Sequence, residues 1–385
     1  RMIDLFTRSD WIAQTVIRHP SLLDELIDPA LGRALPDRAE LEASARRMTR
    51  PEDEELAINN LNTLKLAQSL RIATAEIEGV LSSTGAEARL TELAEVMLDR
   101  CLELARQALR ARHGSLATEG LAIIGYGSLG GGDINYASDL DLVFLYPEGA
   151  EESDGPRPLP AETWYTRCVR RLLALATTVT PAGRLYEIDT RLRPNGRAGM
   201  LVSPLGAFTR YQAEDAWVWE WQALTRARPV AGDASVSARF EDIRREVLAQ
   251  PRDIEMLRTE IPAMRGKMRG QPGGDPFKQG PGGLLDIDFL AQLGVLECAP
   301  GNAPLREPTS TKDQLQLLAD HGWIQENEAK VLIETHGALT RARHVRFLLR
   351  ETSWSRRQDV PDTTEARSIC ARYGIVDAAD SGESR

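Results

Sequence analysis

Gly125-Tyr126-Gly127-Ser128-Leu129-Gly130-Gly131-Gly132 leads, a few residues on, into Ser138-Asp139-Leu140-Asp141-Leu142-Val143-Phe144-Leu145. Ahead of it runs Leu121-Ala122-Ile123-Ile124, a short apolar run that reads as a buried strand. The glycines allow a sharp turn and a close backbone approach to a ligand. Asp139 and Asp141 sit two apart, at the mouth of a second apolar run. Residues two apart in a strand face the same side. Both carboxylates are therefore expected on one face, with Leu140, Leu142 and Phe144 turned to a core. Two acids so placed repel each other, and a hard divalent cation is the usual reason for the pair.

A third acid follows in Leu185-Tyr186-Glu187-Ile188-Asp189-Thr190-Arg191-Leu192-Arg193-Pro194, which reads as another strand. Asp189 is expected beside the first pair. Three carboxylates from two strands, next to a glycine turn, fit two-metal phosphoryl or nucleotidyl transfer. Gly125-x-Gly127-x-x-Gly130 also has the dinucleotide-binding spacing, but that site needs a helix of several turns at the third glycine. Gly131, Gly132, Asp133 and Asn135 are poor helix material. A P-loop is excluded, because no Gly-Lys-Ser/Thr follows.

The chain has 385 residues, enough for two or three domains. No apolar run approaches the roughly 18 residues of a membrane span, and the start carries no signal-peptide pattern. Arg1-Met2-Ile3-Asp4-Leu5-Phe6 reads like the middle of a protein, so a fragment is expected. The net charge of −10 disfavours nucleic acid as a partner. Cys101, Cys168, Cys298 and Cys370 are far apart, without a C-x-x-C pair, which points to a reducing cytoplasm. The histidines do not cluster.

Residues from about 3 to 113 read as helices, with Ser21 a candidate N-cap for 22–27. The stretches 54–77 and 86–111 are the longest. A polar, Pro- and Gly-rich loop spans 148–160, followed by a helix over 162–178. Asn195-Gly196 marks a turn. Trp217, Trp219 and Trp221 read as a packing hub, with base stacking as the alternative. Arg226 and Arg228 suit phosphates, carboxylates or surface salt bridges. Helices are expected over 242–249, 255–269, from 284, and over 314–319, 326–349 and 364–373, with a loose polar tail after 377. Lys278, beside a glycine-rich turn at a helix start, suits an anion. Asp286 and Asp288 near that start favour the helix dipole.

Gly127-Ser128, Asp139-x-Asp141 and Asp189 together resemble the DNA polymerase β-like nucleotidyltransferase superfamily. Trp219-Glu220-Trp221-Gln222-Ala223-Leu224-Thr225-Arg226-Ala227-Arg228, Gly282-Gly283-Leu284-Leu285-Asp286-Ile287-Asp288-Phe289 and His19-Pro20-Ser21-Leu22-Leu23-Asp24-Glu25-Leu26-Ile27-Asp28 extend the likeness. In their order along the chain, the motifs resemble the bacterial glutamine synthetase adenylyltransferase family, its C-terminal, adenylylating half in particular. Ser128 stands where that family often has Lys, and Asp288 where Glu is common.

The resemblance implies an α+β, mostly α fold: a polymerase β-like nucleotidyltransferase domain, a small mixed sheet with helices, at 115–233. Helical regions at 1–114 and 234–385 flank it. It implies AMP transfer from ATP to a tyrosine of glutamine synthetase, with phosphorolytic AMP removal or a non-catalytic regulatory role as alternatives. Asp139, Asp141 and Asp189 would be the catalytic, magnesium-binding residues, for two ions. Gly127, Ser128, Arg191 and Arg193 would bind the nucleotide, and Arg226, Arg228 and Lys278 would contact phosphate or a partner. Glutamine and a PII signalling protein are the regulators it implies.

Overall fold

A computed structural model describes residues 2–27, 35–49, 53–149, 151–269, 275–349 and 360–376. The expected glycine break at 270–274 and the polar tail lie outside these residues. The chain forms two compact units. One comprises Arg1–Tyr211, Arg228–Glu241 and Phe347–Ser353, and the other Gln212–Ala227, Asp242–Arg346 and Trp354–Arg385.

The first unit is built on two long helices, Glu54–Ile77 and Ser83–His113. Asp53 and Ser82 start them, accepting from Leu56 N at 2.9 Å and Gly85 N at 3.1 Å, so each satisfies an orphan N–H of the first turn. Against them lies a small mixed sheet. Its strands are β1 (Ala122–Tyr126), β2 (Leu140–Tyr146), β3 (Ile188–Asp189), β4 (Val202–Pro204) and β5 (Arg228–Gly232). The order is β3-β2-β1-β5, and β4 also pairs with β2. β1 runs antiparallel to β2 and β5, whereas β3 and β4 run parallel to β2. The fold is thus α+β and mostly helical, as expected. Leu61, Leu93 and Met97 from the long helices share one core with Ile123, Leu142, Phe144 and Trp164. The two long helices and the sheet therefore bury one another's apolar faces.

Several local expectations need correction. Only Ile188–Asp189 of the strand expected over 185–194 joins the ladder, because the chain turns at Thr190 into a loop that crosses Asn195 in the left-handed region, φ 61°. β5 was not legible: Arg228-Pro229-Val230-Ala231-Gly232 lacks alternation and contains proline. It lies at the sheet edge, where proline is tolerated. Ser21 does not cap a helix; Pro20 is the first residue of a 3₁₀ turn, Pro20–Leu23, and Ser21 lies inside it. The helix expected from Asp242 begins at Ala234, with Asp233 accepting from Ser235 N and Val236 N. The tryptophans are not a buried hub, since Trp217 is 65% exposed. Trp221 packs under Arg252, and its Nε1 donates to Gln212 O at 3.1 Å.

The second unit centres on helix Leu284–Cys298, buried from Leu284 to Leu296. Helices Ile254–Arg269 and Thr311–Asp320 contribute Leu257, Ile261, Leu315 and Leu318 to its core. Asp286 stands in the first turn, where an acid favours the helix dipole, but both it and Asp288 are buried and ion-paired. Asp286 is fully buried and accepts from Arg265 Nε at 2.5 Å and Gly282 N at 2.7 Å. Asp288 meets Arg226 Nη1 at 2.8 Å and the Thr311 hydroxyl at 2.6 Å. Among the described residues, no helix is long and apolar enough to cross a membrane.

Candidate active site

The strand register sets two of the expected acids, Asp141 and Asp189, side by side at one end of β2. Asp141 lies opposite Tyr126 of β1 on one side and opposite Asp189 of β3 on the other. Asp139 precedes the ladder by one residue and is exposed, while Asp141 and Asp189 are half-buried. The segment before Asp139 is fixed. Ser138 and Asn135 exchange backbone and side-chain hydrogen bonds, at 3.2 Å for Ser138 N to Asn135 O and 3.0 Å for Asn135 N to Ser138 Oγ. Tyr136 stacks on Phe347, with ring centres 5.5 Å apart, and its hydroxyl donates to Glu76 at 2.8 Å. Leu140 N then donates to Glu187 O at 2.9 Å, which locks the two acidic segments side by side.

β1 ends in a single short helix, Gly127–Gly131. That matches the short turn expected, and it is too short for a dinucleotide site. Gly127 has φ +55°, and a Cβ there would stand 2.7 Å from Asp141 Oδ2. The turn is thus pressed against the acid, with no side chain between. Ser128 follows, its carbonyl accepting from Asp133 N at 2.9 Å.

The arginines divide by role. Arg191 holds Asp189: its backbone N–H donates to Oδ1 at 2.8 Å and its Nε to Oδ2 at 2.6 Å, with Nη2 on the same oxygen. These bonds from Arg191 hold the Asp189 carboxyl below the usual carboxylate range, against partial burial. Arg193 is spent on its own loop, donating to Thr190 O at 2.7 Å, Thr190 Oγ1 at 2.8 Å, and the Gly199 and Arg197 carbonyls at 3.2 Å. Arg228 pins the glycine turn. It donates to Gly130 O at 3.1 Å and Leu129 O at 3.2 Å, and pairs with Glu95 at 2.6 Å. Glu95 also takes Arg38 at 2.5 Å. That support was not legible in sequence, because Arg38, Glu95 and Arg228 are far apart in the chain. Arg226 and Lys278 belong to the other unit. Arg226 is buried on Asp288, and Lys278 lies in the short helix Pro276–Gln279.

The donor set suits a hard divalent cation: carboxylate oxygens on adjacent strands, against a turn that a Cβ would obstruct. It also already gathers positive charge. The Arg191 guanidinium pKa is raised, first by Asp189 and then by Asp141 and Asp139. Among the described residues, no three His, Cys, Asp or Glu side chains are gathered closely enough to hold an ion; Asp189 is turned to Arg191.

Behind the acidic segments lies a pocket of about 280 Å³, lined by Lys65, Ser69, Asn135, Ser138, Tyr186 and Glu187 among others. Lys65 Nζ stands 5.1 Å from the centre of the Tyr186 ring, and burial pushes its pKa down. Below the folded pKa both states carry the proton and the folded state bears the desolvation cost. Between the folded and unfolded values the unfolded state holds more protons, so stability rises with pH there. Lys65→Met is therefore expected to raise the melting temperature at pH 7, with the gain shrinking towards pH 10. Thermal melts across that range check it.

A glycine turn, two acids at and just before the start of one strand and a third acid on the neighbouring strand, on a small mixed sheet among helices, define a nucleotidyltransferase-like α+β protein. A family model described as glutamate-ammonia ligase adenylyltransferase matches residues 1–243. The chain belongs to that family. A second model, GlnD PII-uridylyltransferase, matches residues 272–384. Curated relatives carry the name bifunctional glutamine synthetase adenylyltransferase/adenylyl-removing enzyme. The one from Stenotrophomonas maltophilia (strain K279a) is 42% identical over 88% of this chain and 37% of its own length. The one from Thioalkalivibrio sulfidiphilus is 41% identical over 100% of this chain and 39% of its own. The chain thus spans about two fifths of the length of these relatives.

Proposed function

We propose that this chain transfers AMP from ATP to a tyrosine hydroxyl of glutamine synthetase, with pyrophosphate leaving. The observation that carries the reading is Asp141 seated between the glycine turn and Asp189 in a chain of the adenylyltransferase family. Two magnesium ions, both on Asp139 and Asp141 and one also on Asp189, would screen the phosphates and acidify the attacking hydroxyl. Gly127 and Ser128 are the residues to hold the terminal phosphates, since position 127 has no side chain to keep them off the backbone N–H groups. The tyrosine oxygen bonds to the α-phosphorus, and the bond to the β-phosphate oxygen breaks. The hydroxyl proton passes towards the Asp189 carboxylate.

Gly127→Ala tests the turn. The left-handed φ costs about 1–2 kcal/mol for a residue with a Cβ, and that Cβ must displace Asp141. A misplaced acid of this kind lowers the rate by about 100-fold. Urea midpoints and initial rates of AMP incorporation measure the two effects separately.

Glutamine and a PII protein come with this reading as regulators, and the likeness of residues 272–384 to a PII-uridylyltransferase supports the PII link. A second reading, phosphorolytic AMP removal, rests on the double activity in the relatives' names. Incubation with glutamine synthetase, magnesium and α-labelled ATP separates the two. Label on one synthetase tyrosine supports transfer. ADP formed from pre-modified synthetase and phosphate, without labelling, supports removal. Neither product overturns both.

A further inference from the structure

We propose that Arg191 is a displaceable counter-ion: it holds Asp189 away from the metal position and yields that carboxylate when a divalent cation and the nucleotide's phosphates arrive. The inference rests on the nucleotidyltransferase reading and adds a residue that controls entry to its metal site.

Both oxygens of Asp189 are committed to Arg191, Oδ1 to the backbone N–H at 2.8 Å and Oδ2 to the guanidinium at 2.6 Å. With its carboxylate so turned, Asp189 is not gathered with Asp139 and Asp141 into a closed set of ligands. Yet the backbone already sets Asp189 opposite Asp141 in the ladder. Releasing the side chain, rather than moving a strand, is what completion requires.

Arg191 is built to let go. Its side chain is 61% exposed, and among the described residues its guanidinium has no further hydrogen-bond partner. Solvent reaches the guanidinium and screens its side of the pair, although Asp189 is half-buried. Arg193 and Arg228 differ: loop and turn carbonyls anchor both. Arg191 also lies within the field of Asp141 and Asp139, so it balances the whole acid set. A cation entering that set meets a like charge and a competitor for Asp189. Phosphates arriving at Gly127 and Ser128 offer the freed guanidinium a planar, bidentate acceptor. Cation and nucleotide would therefore favour each other's binding, and linkage makes that effect reciprocal.

The test uses the full chain and manganese(II) as the probe, followed by electron paramagnetic resonance without nucleotide. Arg191→Met is expected to bind manganese roughly three- to tenfold more tightly than the parent chain. Arg191→Lys, which keeps the charge but loses the fork, should fall between. A non-hydrolysable ATP analogue should tighten manganese binding in the parent chain and much less in Arg191→Met. Without metal, in EDTA, the analogue should bind Arg191→Met more weakly. Circular dichroism checks that each variant folds. Equal or weaker manganese binding by Arg191→Met, with Asp141→Asn still losing the ion, would make Arg191 a brace for the loop and overturn the inference alone. Manganese binding unaffected by Asp141→Asn would overturn the metal-site reading beneath it.

Discussion

Asp141→Asn is expected to lower AMP transfer at least about 1,000-fold while leaving the fold intact. The size follows from the several kcal/mol of charge stabilisation at stake, with about 1.4 kcal/mol per tenfold in rate. Asparagine matches aspartate in shape, so the pairings with Tyr126 and Asp189 survive. Only the charge goes, and with it some repulsion from Asp139 and Asp189. The melting temperature should hold or rise. Asp141 is the most telling of the three acids because it sits mid-site: Gly127 abuts it, Asp189 faces it, and β2 buries the residues on either side. Initial rates with α-labelled ATP, beside thermal melts, give both readings. A rate within tenfold of the parent chain would remove Asp141 from the site.

The second large effect concerns stability. Asp286→Ala should destabilise its unit by about 3–5 kcal/mol, the cost of leaving a buried charge without its partner. Arg265 and Asp286 side chains are 1% and 0% exposed and meet at 2.5 Å. Arg265 also reaches Gln279 O at 2.7 Å, and Asp286 receives Gly282 N, so the pair ties the approach at 276–283 to the central helix. Arg265→Met alone should cost a similar amount. The double variant Arg265→Met/Asp286→Leu should cost clearly less than the sum, because the two fully buried charges go together and only the part-exposed Arg269, 3.6 Å from Asp286, loses a partner. Urea unfolding of all three, followed by tryptophan fluorescence, measures the coupling. Additive losses would show that the two side chains act independently.

Asp139-x-Asp141 and Asp286-x-Asp288 share a spacing but not a setting. In a strand, two residues give one face; Asp141 lies in β2 opposite Asp189, whereas Asp139 stands one residue before that strand. In a helix, two residues turn through about 200°, and the second pair serves two separate networks. Asp286 goes to Arg265 and Gly282, whereas Asp288 goes to Arg226 and Thr311. The helix at 284 was legible, but its depth was not. Burial of both acids depends on arginines far away in the chain.

The sequence by itself determined the strand–glycine turn–strand unit and the long helices. Each is a local matter of backbone freedom, alternation or helical periodicity. It also carried the family, because motif order survives without coordinates. Only the tertiary structure decided that β5 closes the sheet, that Arg228 and Glu95 brace the turn, and that Arg226 is buried on Asp288. It alone put Arg191, of all the arginines, on Asp189. Arginine is long and charged wherever it stands; which carboxylate or carbonyl it meets depends on chain segments that only the fold brings within reach.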